Sequence, residues 1–297
     1  TTSVAVFDGK KGHNVSRLLD VEQGSLGLRQ SDALFAHVKR LPELTDRLFS
    51  DMGGVRPEAI GVSTRPRAVE GSYMPCFLAG VSQAKVLGSV LGVPVYEFSH
   101  QQGHVAASLW SADRMELMET PHLAWHLSGG TTELLYITPE GVSVHAERIG
   151  GTTDISAGQL IDRTGKLLGL PFPAGKALDA LSREAAPVKG FRVKVQGTEF
   201  SLSGVENKVR EFYNNNPAET AAYALRSVIG AVTAATRNAL EQYPGCAVVF
   251  SGGVASNSLL RESCKGLPAV FCPPQYATDN ALGTAVLTWR AHHAADL

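Results

Sequence analysis

Nothing in this sequence reads as a membrane span. No apolar run approaches the roughly 18 residues that a spanning helix needs, and the first residues carry no basic segment followed by an apolar one. Neither a transmembrane helix nor a secretory leader is expected, and no membrane partner. Cysteine is scarce: Cys76, Cys246, Cys264 and Cys272 are scattered, without the CxxC pairing of a zinc ribbon or redox motif. That pattern fits a reduced, cytoplasmic setting. A dominant charge of one sign is lacking too. Lys and Arg total 27 against 28 Asp and Glu, a net charge of -1, which argues against a generally basic nucleic-acid binder while leaving room for a local patch.

What is present is a chain of 297 residues, 44% hydrophobic and 19% charged, with 30 glycines, the balance of a globular protein. At that length one core commonly gives way to two lobes. Val4 to Asp8 and Val15 to Leu19 read as paired strands across "GKKGHN", and Leu28 to Phe49 as an amphipathic helix. The strand "AIGVST", a buried helix over Cys76 to Leu91 and the strand "VPVYEF" follow. After the polar "SADRMELMETP" the pattern restarts with the strands "HLAWHLS", "TELLYIT" and "VSVHAERI". Helices over about Ile155 to Leu168, Gly175 to Ala185 and Ala218 to Tyr243 come next. Then come "CAVVFSGG", a further helix, "AVFCP" and a closing helix from Ala277 to His292. Two such halves predict a duplicated α/β fold with a central cleft. Residues 1–116 would form the first lobe and 117–297 the second, with the last helix a candidate to pack back on the first. The opening "TTSVAVFDG" reads as mid-strand, so a few residues of that strand are expected upstream.

Chemistry-bearing residues cluster in a few places. In "SHQQGHVAASL", His100 and His104 lie four residues apart, on one helical face, where both imidazoles can reach a single ion; taken alone, the pair reads equally well as two solvated polar residues. "LSGGTTELL" and "FSGGVASNSLL" each place Ser-Gly-Gly at the end of an apolar strand, where glycine lets the backbone turn tightly and offer N–H groups to an oxyanion. A helix directly after the second turn would add its dipole. Two such turns favour a nucleotide cleft over two plain turns, drawing in Ser128, Gly129, Gly130, Thr131, Gly252 and Gly253. Between them Asp154 reads as a helix cap or a solvated acid, and Asp162, two turns on, as an acid that faces a ribose or another hydroxyl-bearing group if that helix lines the cleft. Asp279, in "ATDNALGTA", reads by itself as the N-cap of the last helix.

Taken together, "SHQQGHVAA", "LSGGTTEL", "DISAGQLIDRTGKLLGLPFPAG", "FSLSG", "SGGVASN" and "TDNALGTA" resemble, in order and over nearly the whole chain, the TsaD-type family of tRNA threonylcarbamoyladenosine transferases, formerly called glycoproteases. The resemblance implies an actin-like ATPase fold of the sugar kinase and Hsp70 type. It implies one divalent metal ion, iron or zinc, on His100, His104 and Asp279, with His126 as a candidate fourth ligand where archaeal members carry a tyrosine. His126, Leu127, Ser128, Gly129, Gly130, Asp162, Gly175 and Asn257 match positions that hold the adenylate and the threonylcarbamoyl group. The adenine nucleotide would be ATP, ADP or the acyl-AMP. The partners would be tRNA and either a TsaB-like subunit or a second copy in a homodimer.

The sequence also departs from the family pattern. Thr131 stands where the family carries His or Asn after Ser-Gly-Gly, "STRPRAVEG" replaces a "GPG" loop, and the chain is shorter than typical members, the marks of a divergent paralogue. Two alternatives are carried forward: a metallopeptidase, and a nucleotide-binding scaffold without turnover. Gln101 weakens the first, because it stands where an HExxH peptidase has its general-base glutamate.

Overall fold

A computed structural model describes residues 1–20, 29–213, 215–276 and 280–294. They form two compact units: Thr1–Thr120 with Thr138–Ala146 and Asp279–Leu297, and Pro121–Ile137 with Glu147–Thr278. Among the described residues no helix is long and apolar enough to cross a membrane.

In the first unit, β1 (Thr2–Phe7) and β2 (Gly12–Arg17) form an antiparallel hairpin. Its turn is tied by Asp8, whose Oδ1 accepts from the N–H groups of Lys10 and Lys11, the local bonding that makes Asp a turn former. Helix α1 (Gln30–Asp51) buries Leu44 and Leu48 against Val15, with Val4 and Val6 alongside. The chain then runs through β3 (Ile60–Arg65), α2 (Leu78–Leu91) and β4 (Val95–Ser99), with β3 and β4 parallel. Gly92 ends α2 in the left-handed conformation, φ 68°, that favours glycine.

Helix α3 (His100–Ser111) starts at the last residue of β4: Ser99 Oγ accepts from Gln102 N while Gln102 Oε1 accepts from Ser99 N, a reciprocal capping box. The last helix, α9 (Leu282–His292), belongs to this unit and lies hard against α3. A Cβ added to Gly283 would fall 1.8 Å from the carbonyl oxygen of Gly103, so only glycine permits this approach.

The second unit is built on a sheet of order β11-β10-β5-β6-β7-β9-β8. Strands β5 (His122–Leu127), β6 (Thr132–Glu140) and β7 (Ser143–Thr152) lead into α4 (Ala157–Leu167), α5 (Gly175–Ser182), the short strands β8 (Val195–Gln196) and β9 (Glu199–Phe200), and α6 (Ser203–Phe212). The long α7 (Pro217–Gln242), β10 (Val248–Ser251), α8 (Ser258–Ser263) and β11 (Ala269–Phe271) complete it. β10 is parallel to both β5 and β11, whereas β6 is antiparallel to β5. The core joins Leu123, Trp125 and Leu127 of β5 to Phe250, Leu160, Leu178 and the inner face of α7. Each such side chain contributes about 1.5–3 kcal/mol by leaving water. Trp125 is fully buried, and its indole N–H donates to Thr236 Oγ1 at 2.9 Å, which satisfies its one polar group.

Candidate active site

The histidine pair is in the first unit. Strand β4 and the capping box fix where α3 begins, and one helical turn then sets His104 over His100 with their Nε2 atoms 3.0 Å apart. That separation matches two neighbouring ligands on one ion with metal–nitrogen bonds of about 2.1 Å, so the pair fits a metal. The Phe77 ring flanks His100 edge-on at 5.9 Å, and Gly103, one residue before His104, receives Gly283 of α9. Among the described residues no third His, Cys, Asp or Glu completes a metal-holding cluster, and Asp279, expected as ligand and cap, lies outside them. At the described start of α9, Asn280 Oδ1 accepts from Leu282 N.

The two Ser-Gly-Gly turns are in the second unit and meet there. Their strands are parallel neighbours, with Ser251 in register with His126, and Ser251 Oγ donates to the Trp125 carbonyl at 3.0 Å. Gly252, at φ 90°, lies over Leu127: a Cβ there would be 2.2 Å from the Leu127 oxygen. Gly158, in the first turn of α4, packs as closely on Gly129, at 2.5 Å. Ser156 Oγ, besides capping α4 through Gln159 N, donates to the Gly129 carbonyl. Thr131 closes the first turn, its N–H donating to Ser128 Oγ and its carbonyl accepting from Ser128 N. By contrast, a Cβ on Gly129, Gly130, Gly175 or Gly253 would meet nothing within 4 Å. Packing does not demand glycine at these four; Gly129, Gly130 and Gly253 are exposed and Gly175 is half-buried. His126 is half-buried in this unit, Nδ1 3.5 Å from Ser251 Oγ.

The acids differ from expectation. Asp154 does not cap α4; Ser156 does, because it alone stands three residues before the Gln159 that completes a capping box. Asp154 instead binds the segment after β9, accepting from Ser201 Oγ, from Leu202 N at 2.8 Å and from Ser203 N. Partial burial works to raise its pKa, yet these hydrogen bonds prevail and hold the carboxyl well below the usual carboxylate range. Asp162 Oδ1 accepts from Ala174 N at 2.8 Å, which pins the loop leading to Gly175.

The second Ser-Gly-Gly turn runs not directly into an α-helix, as expected, but into a 3-10 turn over Gly253–Ser256, since Gly252 leaves the chain in an extended exit conformation, ψ 161°. Asn257 then caps the six-residue α8, its Oδ1 accepting from Leu260 N and its Nδ2 donating to Asp179 Oδ1 at 3.1 Å, which leaves one amide hydrogen uncommitted. Asp179 escaped sequence reasoning. It is buried on α5 and also accepts from Ser258 Oγ at 2.8 Å, tying α5 to the second turn; it shares the buried face of α5 with Leu178 and Ser182.

Solved structures define the class first. The chain aligns over 99% of its length, and 96% of the other, with the ROK hexokinase from Thermus thermophilus, at a TM-score of 0.52 and 17% identity. It aligns over 85% of its length, but only 41% of the other, with full-length HypF in the phosphate- and nucleotide-bound form, at 0.57 and 16%. At these identities the likeness concerns the fold, which is that of the actin-like ATPases. Sequence then narrows the class. Residues 24–286 match the TsaD family, described as tRNA N6-adenosine threonylcarbamoyltransferase. The chain is 33% identical over 258 residues to the protein of that name in Carboxydothermus hydrogenoformans, covering 82% of this chain and 74% of that one. Against its Streptococcus suis namesake it is 34% identical over 233 residues, or 72% and 67%. The chain belongs to the TsaD family, a family of acyltransferase enzymes.

Proposed function

We propose that this chain moves a threonylcarbamoyl group from its mixed anhydride with AMP to N6 of adenosine in the tRNA anticodon loop. The observation that carries the reading is the meeting of two Ser-Gly-Gly turns at the ends of paired parallel strands, with four glycines facing open space. Backbone amides of Gly129, Gly130, Gly252 and Gly253 hold the phosphate, in a turn that Ser128 and Thr131 close on each other. Asp162, Gly175 and Asn257 line the nucleoside side, with Asp179 as a positioning residue behind Asn257. N6 bonds to the carbamoyl carbon, the anhydride C–O bond breaks, AMP leaves with the bonding pair while the amides hold its charge, and the proton lost from N6 passes to solvent.

His100 and His104, with Asp279 from the segment before α9, would hold one divalent ion, iron or zinc. Such an ion, when bound, supplies Lewis acidity toward an oxygen of the transferred group. The two compact units serve as the two lobes of the fold. A TsaB-like subunit or a second copy is the partner, in a cytoplasmic setting that keeps the four cysteines reduced.

Incubating the protein with a TsaB-like subunit, threonylcarbamoyl-AMP and unmodified tRNA should yield the modified adenosine by mass spectrometry of the digested RNA. His100→Ala and His104→Ala should each lower metal content and cut transfer by more than about a hundredfold, while nucleotide still binds. No modified adenosine from the unaltered protein would overturn the reading.

A further inference from the structure

Gly190 and the seven residues after it form a strap along α7. A Cβ on Gly190 would lie 2.5 Å from Ser227 N, Phe191 N donates to Ser227 Oγ at 2.8 Å, and at the other end Asn238 Nδ2 donates to the Gly197 carbonyl at 2.6 Å. Burial alternates along the strap: Val193 and Val195 pack against the core while Arg192 and Lys194 are exposed. Lys189 precedes them, and no acidic residue occurs from Ala185 to Thr198. Helix α7 adds exposed Arg226 and Arg237, three turns apart on one face. Among the described residues none of these five cations makes an ion pair or a side-chain hydrogen bond. Of the acids nearby, Glu199 pairs with Arg148, and Glu262, which lines a groove beside the strap, pairs with Lys265.

The surface also has depth. Between the strap, α7 and α8 lies a groove of about 340 Å³, lined by Lys189, Arg226, Ile229, Gly230, Thr233 and Leu259 among others. Gly230 stands mid-helix, where glycine weakens the helix, yet a Cβ there would meet nothing within 4 Å. No packing need explains it; it clears the floor of the groove.

We infer that this strip binds the phosphate backbone of the RNA substrate, the five cations facing phosphates, Phe191 offering a partly exposed ring, and the groove leaving room for a ribose or base. Unpaired cations on an otherwise neutral chain suit a polyanion, and alternate strap residues present their charges in a row. The inference rests on the tRNA reading above and names where the body of that substrate lies.

Its test is binding of unmodified tRNA, followed by fluorescence anisotropy over a salt series, to the full chain with its TsaB-like subunit. The exposed triple variant Lys189→Glu, Arg192→Glu, Lys194→Glu should bind at least about tenfold more weakly, with a log–log salt slope shallower by roughly two to three, while ATP binding by calorimetry stays unchanged. A triple variant with unaltered affinity and slope overturns the strip, even if the unaltered protein modifies tRNA. A protein that binds tRNA through the strip without modifying it upholds the strip and fails the transferase reading. Polyglutamate displacing tRNA as well as unlabelled tRNA does would overturn RNA in favour of an acidic protein partner.

Discussion

The two units use glycine for opposite purposes. In the first, glycine lets elements touch: a Cβ on Gly283 would enter the Gly103 carbonyl of α3, and one on Gly61 would fall 1.7 Å from Thr288 Oγ1 of α9. The histidine pair sits on the helix held this way. In the second unit Gly252 and Gly158 pack as tightly, but Gly129, Gly130, Gly175 and Gly253 face open space. Glycine kept where the fold does not require it marks a place where something outside the chain must come close. The residue type is the same and the sequence context similar; only the neighbours tell packing from clearance.

Gly283→Val tests the packing side and should have the largest effect. The added carbons must push α9 off α3, which should cost more than about 3 kcal/mol in urea unfolding and weaken metal binding at the same time. Stability near that of the unaltered protein would show that the helices are free to separate. Gly129→Ala and Gly253→Ala test the clearance side. Each should change stability by no more than about 0.5 kcal/mol, yet lower nucleotide affinity about tenfold in calorimetry, because the methyl group occupies the approach to the amides. If stability falls and affinity holds, these glycines belong with the packing set.

The contrast explains what the sequence disclosed. The strand ends carrying Ser-Gly-Gly were legible because apolar runs stop at them, and the helix bearing His100 and His104 because Ser99 and Gln102 spell its start. Pairing of β10 with β5, which brings the two turns together, is a contact over more than a hundred residues and leaves no local trace. Asp154 misled for a related reason. It precedes a helix, as a cap does, but its partners Ser201, Leu202 and Ser203 lie some fifty residues on, in the "FSLSG" segment, whose position no periodicity reveals. The same distance hid Asp179.

Asp154 also sharpens the comparison, since here a carboxylate rather than a glycine does the joining. Its pKa is depressed in the folded protein, so its stabilising effect is complete above the unfolded value of about 3.9 and is lost as pH falls below it. Asp154→Asn keeps the size and loses the charge. The melting temperature of the unaltered protein should exceed that of the variant by a few degrees at pH 7, and the gap should narrow steadily as pH falls below about 4. A gap that does not change with pH would assign the effect to shape alone.

The smallest effect is expected at Gly230, where the two uses of glycine make opposite predictions about sign. If packing required glycine, alanine would destabilise. The space around it is open and its backbone is ordinary helix, so Gly230→Ala should instead raise stability by about 0.5–1 kcal/mol, alanine losing less backbone freedom on folding. A higher urea midpoint with an unchanged denaturant slope would be the signature. A lower midpoint would move Gly230 to the packing class and remove the reason for treating the groove floor as cleared for a ligand.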